Sequence, residues 1–407
     1  MKFQTIADGS VTSAKGFHAG SVHAGFKESD KDLVILYSEV KTSAAAAFTQ
    51  NRAAAAPVTI SREIVENGEV RAILINSGNA NACTGLDGFE NARRSQSAAA
   101  KALSLKPEQV AIASTGVIGV PLPMKVMMHG IPKAVAALGP ENGRDAALGI
   151  MTTDLIKKEF AVSLTIDGKK VTIGGMAKGS GMINPNMATM LSFVTTDAAV
   201  DPDFLKEIVA EVVESTYNMI TVDGDTSTND TIMVLANGMA GNESIDETHS
   251  DKELFIEALH LVNEMLAISI VRDGEGATKL IEVMASGFQN KFDARIAAKA
   301  ILNSNLVKTA MFGEDGNWGR IICSLGYSGA SFDLKDMKLE LANSQGQSVE
   351  VFDHGLPTNY NEAVVAELLK DTHIIIRVNA GNGNASARGW GCDLSYDYVK
   401  INGSYRN

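Results

Sequence analysis

Short apolar runs and longer amphipathic runs take turns along the chain. Asp32-Leu-Val-Ile-Leu-Tyr37, Arg71-Ala-Ile-Leu-Ile75 and Gln109-Val-Ala-Ile-Ala113 are apolar and bounded by turn residues, which predicts strands. Between them, residues 91–105 and 123–138 have helical spacing and helix-forming composition. Phe160–Ile166 and Lys170–Ile173 flank Asp167-Gly168, a dipeptide that predicts a hairpin. Beyond residue 189 the pattern predicts a strand at 190–194, a helix at 203–217 and a strand at 231–235. A long helix at 252–271, a strand at 277–284 and a second hairpin over 338–352 follow. A helix at 361–369 and a strand at 372–378 complete the series. This alternation predicts an α/β or α+β fold with a substantial mixed sheet. There is no internal repeat and no low-complexity tail.

Composition narrows the classes. A chain of 407 residues predicts two or three domains, or one large composite unit. With 45% hydrophobic and 21% charged residues it resembles ordinary globular proteins and can bury a large core. The formal charge of −12 argues against nucleic acid or an anionic membrane as partner, since both need clustered Lys and Arg. Cys83, Cys323 and Cys392 are odd in number and far apart, with no CxxC pair. They predict free, buried thiols in a reducing compartment. The start, MKFQTIADGS, lacks the basic-then-apolar layout of a secretion signal, and no uninterrupted apolar stretch is long enough to span a membrane. The expected location is the cytoplasm.

The glycines gather in loops, at Asn76-Ser-Gly-Asn-Ala-Asn, Ser114-Thr-Gly-Val-Ile-Gly119, Gly174–Gly181, Gly313–Gly319 and Gly381-Asn-Gly-Asn. Such loops let backbone N–H groups approach a ligand, though any one of them also reads as an ordinary tight turn. Ala177-Lys178-Gly179-Ser180 has Lys, Gly and Ser in the wrong order for a phosphate loop, and no GxGxxG opens a helix after a strand.

The stretch richest in chemistry is Lys178-Gly-Ser-Gly-Met-Ile-Asn-Pro-Asn-Met-Ala-Thr-Met-Leu191, a Gly/Asn/Pro loop that runs straight into an apolar run. A Thr held at such a junction can aim its hydroxyl at the preceding carbonyl. Attack there turns the Ala188–Thr189 amide into an ester that water opens. The freed Thr189 then carries its own base, an α-amine with a pKa of about 7.7–8.0. No catalytic His is needed, and the seven His residues form no triad-like or metal-like motif. By the pattern alone, an Ala-Thr at a loop end is more usually a simple strand start. Asp223-Gly-Asp-Thr-Ser-Thr-Asn-Asp230 is polar enough to look like a cation site but lacks EF-hand spacing. It reads as a structural or site-lining loop, and no metal is predicted.

The 178–191 stretch closely resembles the cleavage-site signature of the ornithine acetyltransferase (glutamate N-acetyltransferase) family of arginine biosynthesis. Ser114–Gly119, Met151-Thr-Thr-Asp154, Asp223–Asp230, Asp315-Gly-Asn-Trp-Gly-Arg320 and Tyr398–Arg406 resemble further family blocks, in order, nearly end to end. The resemblance implies a layered α/β fold that presents an N-terminal nucleophile. It implies cleavage at Ala188–Thr189 into segments 1–188 and 189–407, which stay together in an α2β2 heterotetramer. It implies ping-pong transfer of acetyl from N-acetylornithine to Thr189 and then to glutamate, without a resident cofactor. Some members of that family also take acetyl-CoA as donor.

Carried over residue by residue, Thr189 matches the nucleophile, and Thr115 and Gly116 match the pair that holds the oxyanion. Thr152, Lys178, Glu275, Asn402 and the terminal Asn407 match substrate-binding positions. A lysine suits a carboxylate and a glutamate suits an ammonium. Without the resemblance, Lys178 reads as a solvated cation, Glu275 as a turn residue and Thr152 as a cap or turn partner of Asp154. The family usually ends in Ser or Thr, so Asn407 is a departure. Two other readings compete: an aminopeptidase or amidase with the same nucleophile but water as acceptor, and a non-catalytic small-molecule binder.

Overall fold

The computed structural model of the chain describes residues 2–66, 68–184 and 190–404. Among these, three sheets form. The central one runs Gln4–Thr5, Lys158–Ile166, Lys169–Lys178, Leu191–Thr196, Thr231–Ala236, Ser43–Phe48. A four-stranded sheet runs Phe17–Val22, Leu33–Ser38, Ala72–Asn79, Val110–Val117. A seven-stranded sheet built from the C-terminal half is centred on Leu280–Phe288, His373–Asn379 and Ala385–Cys392.

The central sheet is apolar on both faces, and alternate residues of one strand enter different cores. Leu191 and Phe193 pack with Val34, Ile73 and the rest of the four-stranded sheet. Val194 packs with Val162, Ile173, Phe255 and the larger core beneath the seven-stranded sheet. A strand covered on both sides reads as a largely apolar run, which is why Thr231–Ala236 was legible as a strand, while Leu191–Thr196 also buries Ser192, Thr195 and Thr196. Asp167-Gly168 makes the expected tight turn, with φ of +50° and +71° and Ile166 paired to Lys169.

The mixed α/β class is as expected, and most elements fall within a few residues of their predicted bounds. Phe17–Val22, Ser43–Phe48, Ala56–Glu66, Gly143–Gly149, Lys291–Asn303, Asn305–Phe312, Trp318–Gly326, Ala385–Cys392 and Tyr396–Ser404 were not foreseen. Ser43-Ala-Ala-Ala-Ala-Phe48 favours helix by composition. It is a strand because Thr231–Ala236 offers it an antiparallel edge, and its small side chains let helix Pro202–Ser215 lie close. All three cysteines are unpaired, but only Cys392 is buried, so the expected burial of Cys83 and Cys323 is wrong. Helix Lys252–Arg272 is long and apolar enough to cross a membrane by length and composition. It packs instead on the central sheet, burying Phe255, Leu259, Val262, Leu266 and Ile270.

Residues from before and after position 188 interleave. Lys169–Lys178 pairs with Leu191–Thr196, which pairs with Thr231–Ala236, which pairs with Ser43–Phe48. Both cores draw on both segments.

Candidate active site

At the edge where Leu191–Thr196 and Thr231–Ala236 begin side by side, a small cleft of about 70 Å³ opens. Thr115, Gly116, Thr152, Lys178, Glu275 and Asn402 all line it, with Thr153, Gly181 and Ser227–Asp230. The sequence places these in separate stretches, and the fold brings them to one wall. Ala188, Thr189 and Asn407 lie outside the described residues, although Met190, the next residue after Thr189, is part of the lining.

Gly116 ends strand Val110–Val117 with φ +130°. A Cβ there would stand 2.4 Å from the Gly78 carbonyl carbon and 2.6 Å from the Asn79 nitrogen. Only glycine allows this close pass of two backbones. Asn229 ties the same strand to the opposite wall, since its Nδ2 donates to the Ser114 and Ala80 carbonyls at 2.9 and 2.6 Å.

Lys178 is buried, and its Nζ donates to Thr115 Oγ1 at 3.3 Å. Thr115 therefore accepts from the lysine and keeps its own hydroxyl proton for the cleft. Burial pushes the Lys178 ammonium below the usual lysine range, against the pull of Asp154, Asp230 and Glu275.

Beneath this wall lies a buried charge network. Lys158 Nζ sits 2.6 Å from Asp154 Oδ1 and 2.6 Å from Asp273 Oδ2, with all three side chains essentially out of solvent. Burial alone would raise the Asp154 carboxyl, but Lys178 and Lys158 overcome it and hold the pKa at about 2. Asp154 also accepts from Gly179 N at 2.7 Å and Thr152 N at 2.9 Å, so one carboxylate braces both substrate-side loops. Thr152 thus lines the cleft and is also the turn partner of Asp154 that the sequence suggested. Asp273 accepts from Leu155 N at 3.0 Å, two residues before Glu275 in the chain.

Glu275 is fixed at both ends. Its N–H donates to Ser180 O at 2.8 Å, and its Oε2 accepts from Asn402 Nδ2 at 2.8 Å. Asn402 belongs to helix Tyr396–Ser404, so the C-terminal helix orients an acid in the cleft. Gly181 faces that carboxylate so closely that a Cβ would fall 2.4 Å from Glu275 Oε2.

In the polar segment Asp223–Asp230, Asp223 accepts from Met182 N at 2.6 Å and Ile183 N at 2.9 Å, and the Tyr398 hydroxyl donates to it at 3.3 Å. It is a clamp on the loop after Gly181. The other end of the segment, Ser227–Asp230, lines the cleft. Sequence reasoning named the segment but missed Asp230, Asn229, Thr153 and Lys158 individually. One signal was present: Asp230 stands directly before an apolar run.

The ArgJ family model matches residues 18–407. The arginine biosynthesis bifunctional protein ArgJ of Caldanaerobacter subterraneus subsp. tengcongensis is 52% identical over 98% of this chain and 99% of its own. The protein of the same name from Listeria monocytogenes is 46% identical, with 98% and 99% covered. A crystal structure of arginine biosynthesis bifunctional protein ArgJ from Bacillus halodurans is 46% identical. It aligns with a TM-score of 0.51 over 53% of this chain and all of that one. With its motifs, its cleft and these matches in agreement, the chain belongs to the ArgJ family of arginine biosynthesis.

Proposed function

We propose that the chain cuts itself between Ala188 and Thr189 and then moves acetyl from N-acetylornithine to glutamate through an acetyl-Thr189 intermediate. The observation that carries this reading is the convergence of Thr115, Gly116, Thr152, Lys178, Glu275 and Asn402 on one cleft. Met190, the residue after the proposed nucleophile, lines the same space.

The α-amine of Thr189 takes the hydroxyl proton as Oγ attacks the acetyl carbonyl. The Thr115 hydroxyl and the Gly116 N–H receive the developing oxyanion. Such donors are each worth about 2.7–4 kcal/mol of barrier. Ornithine leaves with the proton held by the amine, and the glutamate amine then attacks the acetyl ester along the reverse course. Lys178 meets a substrate carboxylate, and Glu275 meets a substrate ammonium. Asn407 supplies its amide or free carboxylate where relatives have a hydroxyl. In this reading the two fragments assemble as an α2β2 heterotetramer in the cytoplasm, with no resident cofactor.

Purified protein should run as two bands on a denaturing gel, with Thr as the second N-terminus, and Thr189→Ala as one. Incubation with N-acetylornithine should give ornithine in sustained turnover only when glutamate is present, and no more than one equivalent per site without it. Parallel incubation with acetyl-CoA and glutamate tests the second donor. A wild-type chain that stays whole and inactive refutes the proposal. Deacetylation indifferent to glutamate would mark an aminopeptidase-like hydrolase instead.

A further inference from the structure

The peptide unit that joins Met151 to Thr152 is gripped at both ends. Thr152 N–H donates to Asp154 Oδ2 at 2.9 Å. The carbonyl of the same peptide, Met151 O, accepts from Lys27 Nζ at 2.9 Å. A buried carboxylate thus sits on the positive end of that peptide dipole and an ammonium on its negative end. The lysine comes from 124 residues earlier in the chain.

A second acid builds the loop that carries Lys27. Asp32 is wholly buried just before strand Leu33–Ser38. It accepts from the backbone N–H groups of Ala24, Gly25, Phe26 and Lys27 at 2.6, 3.0, 2.7 and 3.0 Å. Four such bonds to one carboxylate fix the backbone from which Lys27 extends. Its stem then passes Gly78, where a Cβ would stand 2.8 Å from Phe26 O and 3.2 Å from Lys27 Cγ. Gly78 pairs with Gly116 in the sheet. Lys27 therefore runs behind the Gly78–Gly116 pair and ends on the Thr152 loop. Lysines ordinarily keep the ammonium in water. This one is half-buried, and burial pushes it below the usual lysine range against the pull of Asp32, Asp30 and Asp154.

We propose that Lys27 is a positioning residue for substrate binding, acting through the Met151–Thr152 peptide that it and Asp154 hold so that Thr152 faces the cleft. The inference rests on the reading of Thr152 as a substrate contact given above. Lys27 lies outside the described lining of the cleft, so its effect passes through Thr152. Without the lysine, Met151 O loses its cation and the peptide is held at one end only. The Asp32 bonds all go to backbone, so they keep the 24–27 loop in place.

A double-mutant cycle read by steady-state kinetics tests this on the cleaved enzyme with N-acetylornithine and glutamate. One cleft takes both substrates in turn, so Lys27→Met should raise KM for both by about five- to tenfold. The kcat should stay within about twofold, and the two-band pattern on a denaturing gel should not change. Lys27→Arg keeps a cation within reach of the carbonyl and should bring KM back to within about twofold of wild type. In a Thr152→Ala background, Lys27→Met should add less than about twofold, because the residue it acts through is gone. A wild-type KM in Lys27→Met overturns the inference. So does a loss that Lys27→Arg shares in full, or one that multiplies with that of Thr152→Ala. If Lys27→Met gives no folded protein, Lys27→Ala is read on the same terms. A Thr152→Ala enzyme with unchanged KM refutes the substrate-contact reading and takes this inference with it.

Discussion

Replacing Lys158 with Met removes the one charge that two buried aspartates share. Lys158 Nζ lies 2.6 Å from Asp154 and 2.6 Å from Asp273, and it also donates to the Ile156 carbonyl at 3.1 Å. Asp154 sits at about 2 instead of 3.8, so its charged form is favoured by on the order of 2 kcal/mol. Lys178 supplies part of that and survives the change. The Asp273 carboxylate, 4% exposed at the side chain, loses the lysine it pairs with in this network. Leaving such charges buried and unpaired typically costs about 3–5 kcal/mol, and that is the expected loss. It should be measured by urea unfolding in a Thr189→Ala background, so that the unfolding chain is one molecule. Adding Asp154→Asn removes one stranded charge and should recover at least about 1 kcal/mol. In the cleaved enzyme Lys158→Met should also raise KM, because Asp154 braces Gly179 and Thr152. A loss of stability under about 1 kcal/mol, with KM unchanged, refutes the claim that this network holds the cleft wall.

Gly116→Ala should cost at least about a hundredfold in kcat, since its Cβ would drive into the Gly78–Asn79 backbone and turn the proposed oxyanion donor away; a steady-state assay reads it. Asn402→Ala should raise KM about five- to tenfold while cleavage proceeds normally, because it frees Glu275 Oε2 from its 2.8 Å bond. Asp154 makes acid stability asymmetric: its contribution is whole above about pH 4 and is lost as pH falls toward its folded pKa of about 2. Asp154→Asn should therefore be clearly less stable than wild type at pH 7, with the difference shrinking steadily between about pH 4 and pH 2 when unfolding is followed by circular dichroism.

The sequence made the fold class and the strands of the central sheet legible for a physical reason. A strand buried on both faces is largely apolar, and residues 232–236, after the first residue of their strand, show nothing else. Ser43–Phe48 was illegible because its conformation is imposed by a partner strand 183 to 193 residues away in the chain. The cleft divides the same way. Thr115, Gly116, Lys178 and Glu275 were reachable because a family pattern tags them. Asp230 was not, because an acid before a strand looks the same in sequence whether it caps a turn or faces a cavity, and only the register with Leu191 decides. Lys158 was hidden among Asp154-Leu-Ile-Lys-Lys158, where one lysine is exposed enough to pair with Glu159 and its neighbour is wholly buried.

The same register bears on how a chain could cut itself and still work. Leu191–Thr196 is hydrogen-bonded on one edge to Lys169–Lys178 and on the other to Thr231–Ala236. Its side chains divide between two cores that both segments build. A break at 188–189 removes none of these ladder bonds and exposes none of this apolar surface. The strand that begins two residues after the break is held from both sides before and after the cut. Cleavage in such a frame changes one amide nitrogen into an amine while the walls of the cleft stay where they were. Lys178, the last residue of the neighbouring strand, pairs with Leu191 itself. Lys178 and the start of the strand after the proposed break are thus fixed to each other by the sheet, on opposite sides of that bond.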